Sequence, residues 1–262
     1  MKPIWLGNVA QIAAAALTCL LLTVATARAD EVKVVTSATF KPAYLELVPE
    51  YERAPHDVLI TEYGPSMGTT HNAIPMRLNR GEEIDVVIMA APRLDELIKE
   101  GKVRTDARAD LARSNIAMAV KAGAPKPDIG TLDALTKTLL SAKSIAVSDS
   151  DSGVYLTTKL FQKLGIADRI AAKVVKIEAT PVGETVASGK AEIGFQQISE
   201  LLPVRGIDIV GPLPPGAQRV TSFSAGIPVT ARNPVAAKRL IQWLASPAAY
   251  AAIHKSGLEP AK

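Results

Sequence analysis

Apolar runs of strand length alternate with helical segments along the first hundred residues of the chain. The run Glu31-Val32-Lys33-Val34-Val35-Thr36 precedes a helical pattern at residues 42–51, and residues 58–62 form the next strand pattern. Residues 84–89 are apolar on both faces, as expected of a fully buried strand, and a helix follows at residues 93–100. Strands separated by helices need crossover connections, so this order predicts a parallel sheet with helices on both faces.

The alternation continues through the rest of the chain. Predicted strands lie at residues 116–121, 144–147, 173–177 and 192–195, and Gly165 and Gly189 end the helices between them. Residues 220–229 are extended and can carry the chain back to its first half, and the end of the chain after Pro234 is helical. The sequence therefore predicts an α/β protein, with enough length for one large domain or two smaller lobes.

The first 29 residues have the pattern of a secretory signal peptide. Lys2 gives a positive start, residues 12–24 are apolar or small, and Ala27-Arg28-Ala29 is a small-x-small cleavage site. A membrane anchor is the alternative, but the apolar run is short for a bilayer span. We predict cleavage after Ala29, a periplasmic location, and no membrane insertion of the mature chain.

The composition of the predicted mature chain excludes several classes of function. The single cysteine, Cys19, lies in the signal segment, so thiol catalysis, thiolate metal sites and disulfides are excluded. Loss of Lys2 and Arg28 lowers the formal charge from +4 to +2, and no basic tract or aromatic platform favours nucleic acid. His56 and His254 are predicted to lie at the surface, and the histidines are too far apart in sequence to indicate a metal site.

Hydroxyl groups gather where the second helix is predicted to begin. Gly64, Pro65 and Gly68 break any regular element, and Ser66, Thr69 and Thr70 follow strand 58–62 directly, in the segment Tyr63-Gly64-Pro65-Ser66-Met67-Gly68-Thr69-Thr70-His71-Asn72. Hydroxyls and unsatisfied N–H groups at a helix start can bind an anion. His71 adds a group that can be a cation or a base near neutral pH. The alternative is an ordinary helix cap.

Six short motifs follow one another in order along the chain. They are Thr36-Ser37-Ala38-Thr39-Phe40, Gly64-Pro65-Ser66-Met67-Gly68, Gly81-Glu82-Glu83-Ile84-Asp85-Val86-Val87-Ile88, Ser152-Gly153-Val154-Tyr155, Ser188-Gly189-Lys190-Ala191-Glu192-Ile193-Gly194-Phe195 and Asn233-Pro234-Val235-Ala236-Ala237. In their order and spacing they resemble the molybdate-binding type of periplasmic solute-binding protein. The resemblance covers residues 32–257 and implies the type 2 periplasmic binding fold, in which two Rossmann-like α/β lobes hold an anion in the cleft between them. It implies lobe 1 at residues 30–113 and 226–262, and lobe 2 at residues 114–225.

The resemblance also implies which residues contact the ligand. The oxyanion contacts of the family correspond to Thr39, Ser66, Ser152 and the backbone N–H near Val182, whereas Gln197 replaces the family's tyrosine. Gln196 and Gln197 alternate along a strand, so at most one is expected to face the cleft. The alternatives are that Ser152 only caps a helix, with Asp149 and Asp151 in the same turn, and that Lys41 is a solvated lysine.

The departures from the family pattern favour a larger ligand than molybdate. Lys41, Thr69, Thr70, His71 and Gln197 add a cation, hydroxyls, an imidazole and an amide, which suit several carboxylates. Within this family the chain resembles the aconitate isomerases, which implies interconversion of trans- and cis-aconitate by an allylic proton shift without a cofactor. His71 could shuttle the proton.

In this interpretation, residues of both lobes clamp the substrate carboxylates. They are Thr39, Lys41, Ser66, Thr69, Thr70, Ser152, Val182 and Gln197. The alternative function is a non-catalytic receptor that delivers an organic carboxylate or a molybdate-like oxyanion to the membrane subunits of an ABC importer. No metal is predicted at the site.

Overall fold

The computed structural model describes residues 30–53, 57–178 and 180–261, which form a mixed α/β fold with two sheets. The predicted signal peptide and His56 lie outside the described residues. The six-stranded sheet has the order β11-β4-β10-β3-β1-β2 and the five-stranded sheet the order β7-β6-β8-β5-β9. The strands are β1 Glu31–Thr36, β2 Val58–Tyr63, β3 Val86–Ala90, β4 Ala109–Ser114, β5 Ile116–Lys121, β6 Ile145–Ser148, β7 Val174–Ile177, β8 Ile193–Gln197, β9 Ile207–Pro212, β10 Thr221–Gly226 and β11 Glu259–Pro260.

The helices lie between the strands in the predicted alternation. They are α1 Lys41–Glu52, α2 Ile74–Asn79, α3 Ala91–Lys99, α4 Leu132–Ser141, α5 Asp151–Tyr155, α6 Phe161–Lys163, α7 Ala167–Ile170, α8 Val182–Ala187, α9 Ile198–Leu201, α10 Pro234–Leu244 and α11 Tyr250–Lys255. A π-helical turn, Leu156–Leu160, joins α5 to α6. The helix that the sequence predicts to end at Gly165 is therefore continuous, with an irregular middle.

The prediction of parallel strands is correct only for part of each sheet. Strand β1 pairs in parallel with β2 and β3, and β6 pairs in parallel with β7 and β8. Strand β10 is antiparallel to β3 and β4, and β5 is antiparallel to β8 and β9. These antiparallel strands flank the segments that pass between the sheets, where the chain needs no crossover helix. Strand β4 escaped prediction because its polar and apolar residues do not form a clear pattern.

The chain crosses between the two sheets twice. The first crossing is only Asn115, between β4 and β5, and the second is the segment between β9 and β10. Thr221–Gly226 pairs with β3 and β4, so residues 221–225 belong to the six-stranded sheet, although the sequence interpretation assigned them to lobe 2. Each sheet has its own main apolar core, one around Tyr44 and Leu240 and one around Phe195 and Leu135.

None of the helices in the described residues is long and apolar enough to cross a membrane. The exposed position predicted for His254 is confirmed, because its side chain is 56% exposed, next to Glu259.

Candidate functional site

The loop between β1 and α1 carries the first predicted ligand residue into a contact between the two halves of the molecule. Thr39 is buried, and its Oγ1 donates a hydrogen bond of 2.7 Å to Oε1 of Glu200. Ser199 Oγ donates to the carbonyl oxygen of Thr39 at 2.8 Å. Ser37 Oγ is buried without a hydrogen-bond partner among the described residues. This loop therefore faces α9, which follows the strand β8 of the other sheet.

Glu200 is held by neutral hydrogen-bond donors. Thr39 binds one carboxyl oxygen, and Gln196 Nε2 donates to the other, Oε2, at 2.5 Å. Burial raises the pKa of Glu200 to about 7, although both hydrogen bonds act to lower it, and the nearby charge of Asp149 raises it further. No cation of the described residues forms a salt bridge with this carboxylate. Glu200 can therefore take up and release a proton near neutral pH.

Three serine hydroxyls cluster where β6 leads into α5. Ser148 Oγ lies 2.7 Å from Ser150 Oγ and 3.2 Å from Ser152 Oγ, and the last two are 3.3 Å apart. Gly153 makes this turn possible, because a Cβ at that position would overlap the Ser148 carbonyl oxygen. Asp149 lies in the same turn, and its charge raises the pKa of Glu200. The serine cluster therefore lies on the side of lobe 2 that is near Glu200. Three hydroxyls in one place can donate together to a carboxylate.

The two glutamines that end β8 have different partners. Gln196 Oε1 accepts the backbone N–H of Val182 at 2.9 Å, while Gln197 Nε2 donates to Thr221 Oγ1 at 3.3 Å. The N–H of Val182, expected to contact the ligand, is thus bonded within the protein. Both glutamines are buried, and Gln197 Oε1 has no partner among the residues that the structure describes.

Ser66 lies in the loop between β2 and α2 and contacts the start of α3. Its Oγ accepts the backbone N–H of Ala90 at 3.0 Å, which leaves its O–H able to donate to another group. The loop that carries Ser66 is closed at its base by a hydrogen bond of 3.0 Å from the Ile74 N–H to the Pro65 carbonyl oxygen. Ser66 is therefore held in place by the Ala90 N–H and by the closed base of its own loop.

The outer part of that loop carries Thr69, Thr70 and His71, which are all exposed. The His71 carbonyl oxygen accepts a hydrogen bond of 2.9 Å from Arg80 Nη1. In the described part of the chain, no hydrogen bond joins these three side chains to Thr39 or Glu200. His71 lines a surface cavity of about 550 Å³ together with Thr61, Glu62, Tyr63, Asn72, Arg77, Arg80 and Glu82.

Two cations lie over tyrosine rings. Lys41 Nζ is 4.4 Å from the ring centroid of Tyr63, and the guanidinium carbon of Arg219 is 5.5 Å from that of Tyr155. Neither forms a salt bridge with a carboxylate among residues 30–53, 57–178 and 180–261. Tyr155 is one helical turn after Ser152 in α5, and its hydroxyl donates to the Ala217 carbonyl oxygen at 2.9 Å, two residues before Arg219.

A third cation links the two halves directly. Arg93 in α3 contacts Asp151 in α5 through Nη2 at 3.3 Å, and it also binds Glu96 within its own helix at 3.0 Å. Together with the contact between Thr39 and Glu200, this pair places the loops of the six-stranded sheet against those of the five-stranded sheet.

Sequence reasoning missed Glu200 and Arg219, and it considered Gln196 only as the alternative to Gln197 at the cleft. No local pattern marks them, because the bond between Thr39 and Glu200 joins residues 161 positions apart. The segment Gln196-Gln197-Ile198-Ser199-Glu200 does place a carboxylate four residues after an amide. A turn after the strand then brings the two together, which only the fold reveals.

Two α/β sheets with separate cores, two crossing segments and polar loops facing each other define a two-lobed binding protein. The chain belongs to the family of bacterial extracellular solute-binding proteins, which it matches over residues 32–259. The predicted family and fold are confirmed. It is 48% identical over 227 residues to a protein named aconitate isomerase from Pseudomonas sp., and the match covers 87% of each chain.

Solved structures show the same fold at low sequence identity. The periplasmic molybdate-binding protein of Azotobacter vinelandii has a TM-score of 0.71 at 20% identity, over 88% of this chain and 100% of that chain. The sulfate-binding protein SubI from Mycobacterium tuberculosis H37Rv has a TM-score of 0.68 at 16% identity, over 89% of this chain and 88% of that chain.

Proposed function

We propose that this chain is an aconitate isomerase that interconverts trans- and cis-aconitate in the cleft between its lobes. The observation that carries the proposal is the 48% identity, over 87% of both chains, to the relative of that name. The contact between the lobes also supports it, because it holds the carboxyl group of Glu200, whose pKa burial raises to about 7, in the range that suits a general base at neutral pH.

The reaction needs one group that accepts and then returns a proton. A base removes a proton from the methylene carbon of aconitate, and the electron pair of that C–H bond shifts the double bond by one carbon. The protonated base then delivers a proton to the carbon that was vinylic. We assign this role to Glu200. The reaction changes no oxidation state, so the proton balance closes without a cofactor.

His71 is the base that the sequence predicted, and that hypothesis still competes with Glu200. His71 has the type of side chain that most often serves as a general base. Its exposure and its hydrogen bond through the backbone to Arg80 favour a position at the rim of the cleft instead. Thr69 and Thr70 lie in the same exposed part of the loop as His71. In our proposal they contact the substrate when this loop moves toward Glu200.

The carboxylates of the substrate need donors and positive charge. The serine cluster of Ser148, Ser150 and Ser152 supplies hydroxyls from lobe 2, and Ser66 supplies one from lobe 1. Lys41 and Arg219 supply cations that are not used in salt bridges of the described residues. Thr39 bonds Glu200, so its role is to hold the base against the substrate.

A second function remains supported by the family itself. A solute-binding protein that delivers an organic carboxylate or a molybdate-like oxyanion to an ABC importer would use the same cleft. We also propose that residues 1–29 direct secretion to the periplasm and are cleaved after Ala29. This location fits both functions.

Proton NMR of the purified mature protein with trans-aconitate tests the proposal. We expect catalytic approach to a mixture of the cis and trans isomers, faster than in a sample of heat-denatured protein. No conversion, together with an increase of the melting temperature by aconitate or molybdate, would contradict the isomerase and favour the receptor. Processing is checked separately by mass spectrometry of the secreted chain, which we expect to begin at Asp30.

A further inference from the structure

Gln196 has an amide that is hydrogen-bonded at both ends, and its two ends are not interchangeable. The backbone N–H of Val182 is a donor, so the end of the amide that faces it at 2.9 Å must be the oxygen. The NH₂ end then points at Oε2 of Glu200, at 2.5 Å. Chemistry thus fixes the orientation of this amide.

The packing of β8 against α8 creates this arrangement. Gly194 lies on the same face of β8 as Gln196, and a Cβ at Gly194 would come within 2.6 Å of side-chain carbons of Val182 and Val186. The absence of that Cβ lets the start of α8 approach the strand. The N–H of Val182 then comes within reach of the Gln196 side chain, which is only 4% exposed.

From this geometry we infer that Gln196 is a positioning residue for the reaction, which holds the carboxyl group of Glu200 in one orientation and makes Oε1 the oxygen that carries the proton. The inference rests on the proposed role of Glu200 as the base. Nε2 of Gln196 can only donate, so it stabilises an acceptor at Oε2 and disfavours a proton there. Thr39 faces Oε1 with a hydroxyl, which can donate to the carboxylate and accept from the protonated acid.

Loss of Gln196 should change the pKa of the Glu200 carboxyl group, which loss of a purely structural residue would not do. Replacing Gln196 by methionine keeps the volume and removes both hydrogen bonds. The charged form of Glu200 then loses a donor, so the pKa of its carboxyl group rises. The carboxyl group also gains rotational freedom, so the proton transfer becomes slower.

The experiment compares the native chain with Gln196→Met and with the matched control Gln218→Met. Gln218 also bridges backbone groups, accepting the Ile116 N–H at 3.0 Å, but it has no contact with Glu200. We expect Gln196→Met to lower kcat roughly 10- to 100-fold with little change in KM. We also expect the pH midpoint of kcat/KM to rise by about one unit.

A second readout does not depend on turnover. In protein labelled with carbon-13 at the glutamate carboxyl groups, the Glu200 resonance is assigned by its loss in Glu200→Gln, and its titration midpoint is followed by NMR. We expect a higher midpoint in Gln196→Met and an unchanged one in Gln218→Met. An unchanged midpoint in Gln196→Met, or an equal rise in the control, overturns the inference. If the native protein has no turnover but the midpoint still rises in Gln196→Met, the contact between Gln196 and Glu200 is supported and the proposed function is contradicted.

Discussion

Two glutamates of this molecule, Glu200 between the lobes and Glu82 at the outer side of the six-stranded sheet, have opposite electrostatic environments. Glu82 binds Arg77, whose Nε lies at 2.9 Å, and Lys33 at 2.8 Å. Hydrogen bonding to Arg77, opposed by burial and assisted by Lys33, lowers the pKa of Glu82 to about 2. Burial raises the pKa of Glu200 to about 7, and its partners, a neutral hydroxyl and a neutral amide, lower it only in part.

The same type of side chain therefore has a structural role at Glu82 and can exchange a proton at Glu200. Paired guanidinium and ammonium groups keep Glu82 charged at every physiological pH, so it joins β1 to α2 and is useless as a base. Neutral donors keep Glu200 oriented without fixing its charge, so it can exchange a proton. Both carboxylates lie near loops that the sequence marked, and their burial and their partners distinguish them.

The largest effect we expect is on catalysis by Glu200→Gln. The amide keeps the shape of the side chain but cannot accept the proton, so kcat should fall by roughly 10² to 10⁴-fold. Binding of aconitate, measured by calorimetry, should persist. Full activity in the variant would remove Glu200 as the base, and loss of binding together with turnover would make it a binding residue.

The pH dependence of the native enzyme tests the same environment. The base is active when deprotonated, so kcat/KM should rise with pH through about 7. The folded pKa of Glu200 lies above its ordinary value of 4.5, so the native state binds more protons between these values. Its contribution to the free energy of unfolding therefore falls as pH rises from about 4.5 to about 7. Urea unfolding should lose this slope in Glu200→Gln, and an identical slope in both proteins would contradict the assignment.

Arg219→Gln should affect substrate binding more than the chemical step. A lost hydrogen bond to a charged group raises KM by roughly 10-fold or more, with a smaller change in kcat. Initial rates over a range of aconitate concentrations measure both parameters. The control is Arg104→Gln, since Arg104 is exposed and pairs only with Asp106 among the described residues. Equal effects of the two variants would mean that Arg219 acts through general electrostatics.

The smallest effect we expect is on the free energy of unfolding, through the salt bridges of Glu82. Arg77→Met removes a buried guanidinium from Glu62 and Glu82, which are partly exposed, and should lower the free energy of unfolding by about 1–2 kcal/mol at neutral pH. The folded pKa of Glu82 is below its ordinary value, so this stabilisation is complete above about pH 4.5 and is lost toward pH 2. Urea unfolding at both ends of this range measures the change. A difference that persists unchanged in acid would point to packing, and the exposed pair in Arg232→Met should show almost none.

The sequence predicted the fold better than the contacts at its cleft. Alternating strands and helices are local patterns, and the motifs around Thr39, Ser66 and Ser152 follow strand ends, so their loops could be named in advance. Strand β4 and the position of β10 depend on pairing between distant segments, and periodicity does not report such pairing. The hydrogen bonds of Val182 and Glu200 depend on how β8 packs against α8 and on how the lobes meet, which no local pattern encodes.

In the proposed mechanism Glu200 moves the proton of aconitate. Deuterium incorporation into aconitate in heavy water, followed by proton NMR, tests this role in the native protein, Glu200→Gln and His71→Ala. We predict exchange during isomerisation in the native protein, its loss in Glu200→Gln, and detectable exchange in His71→Ala. Exchange that survives in Glu200→Gln and disappears in His71→Ala would contradict this account and make His71 the base.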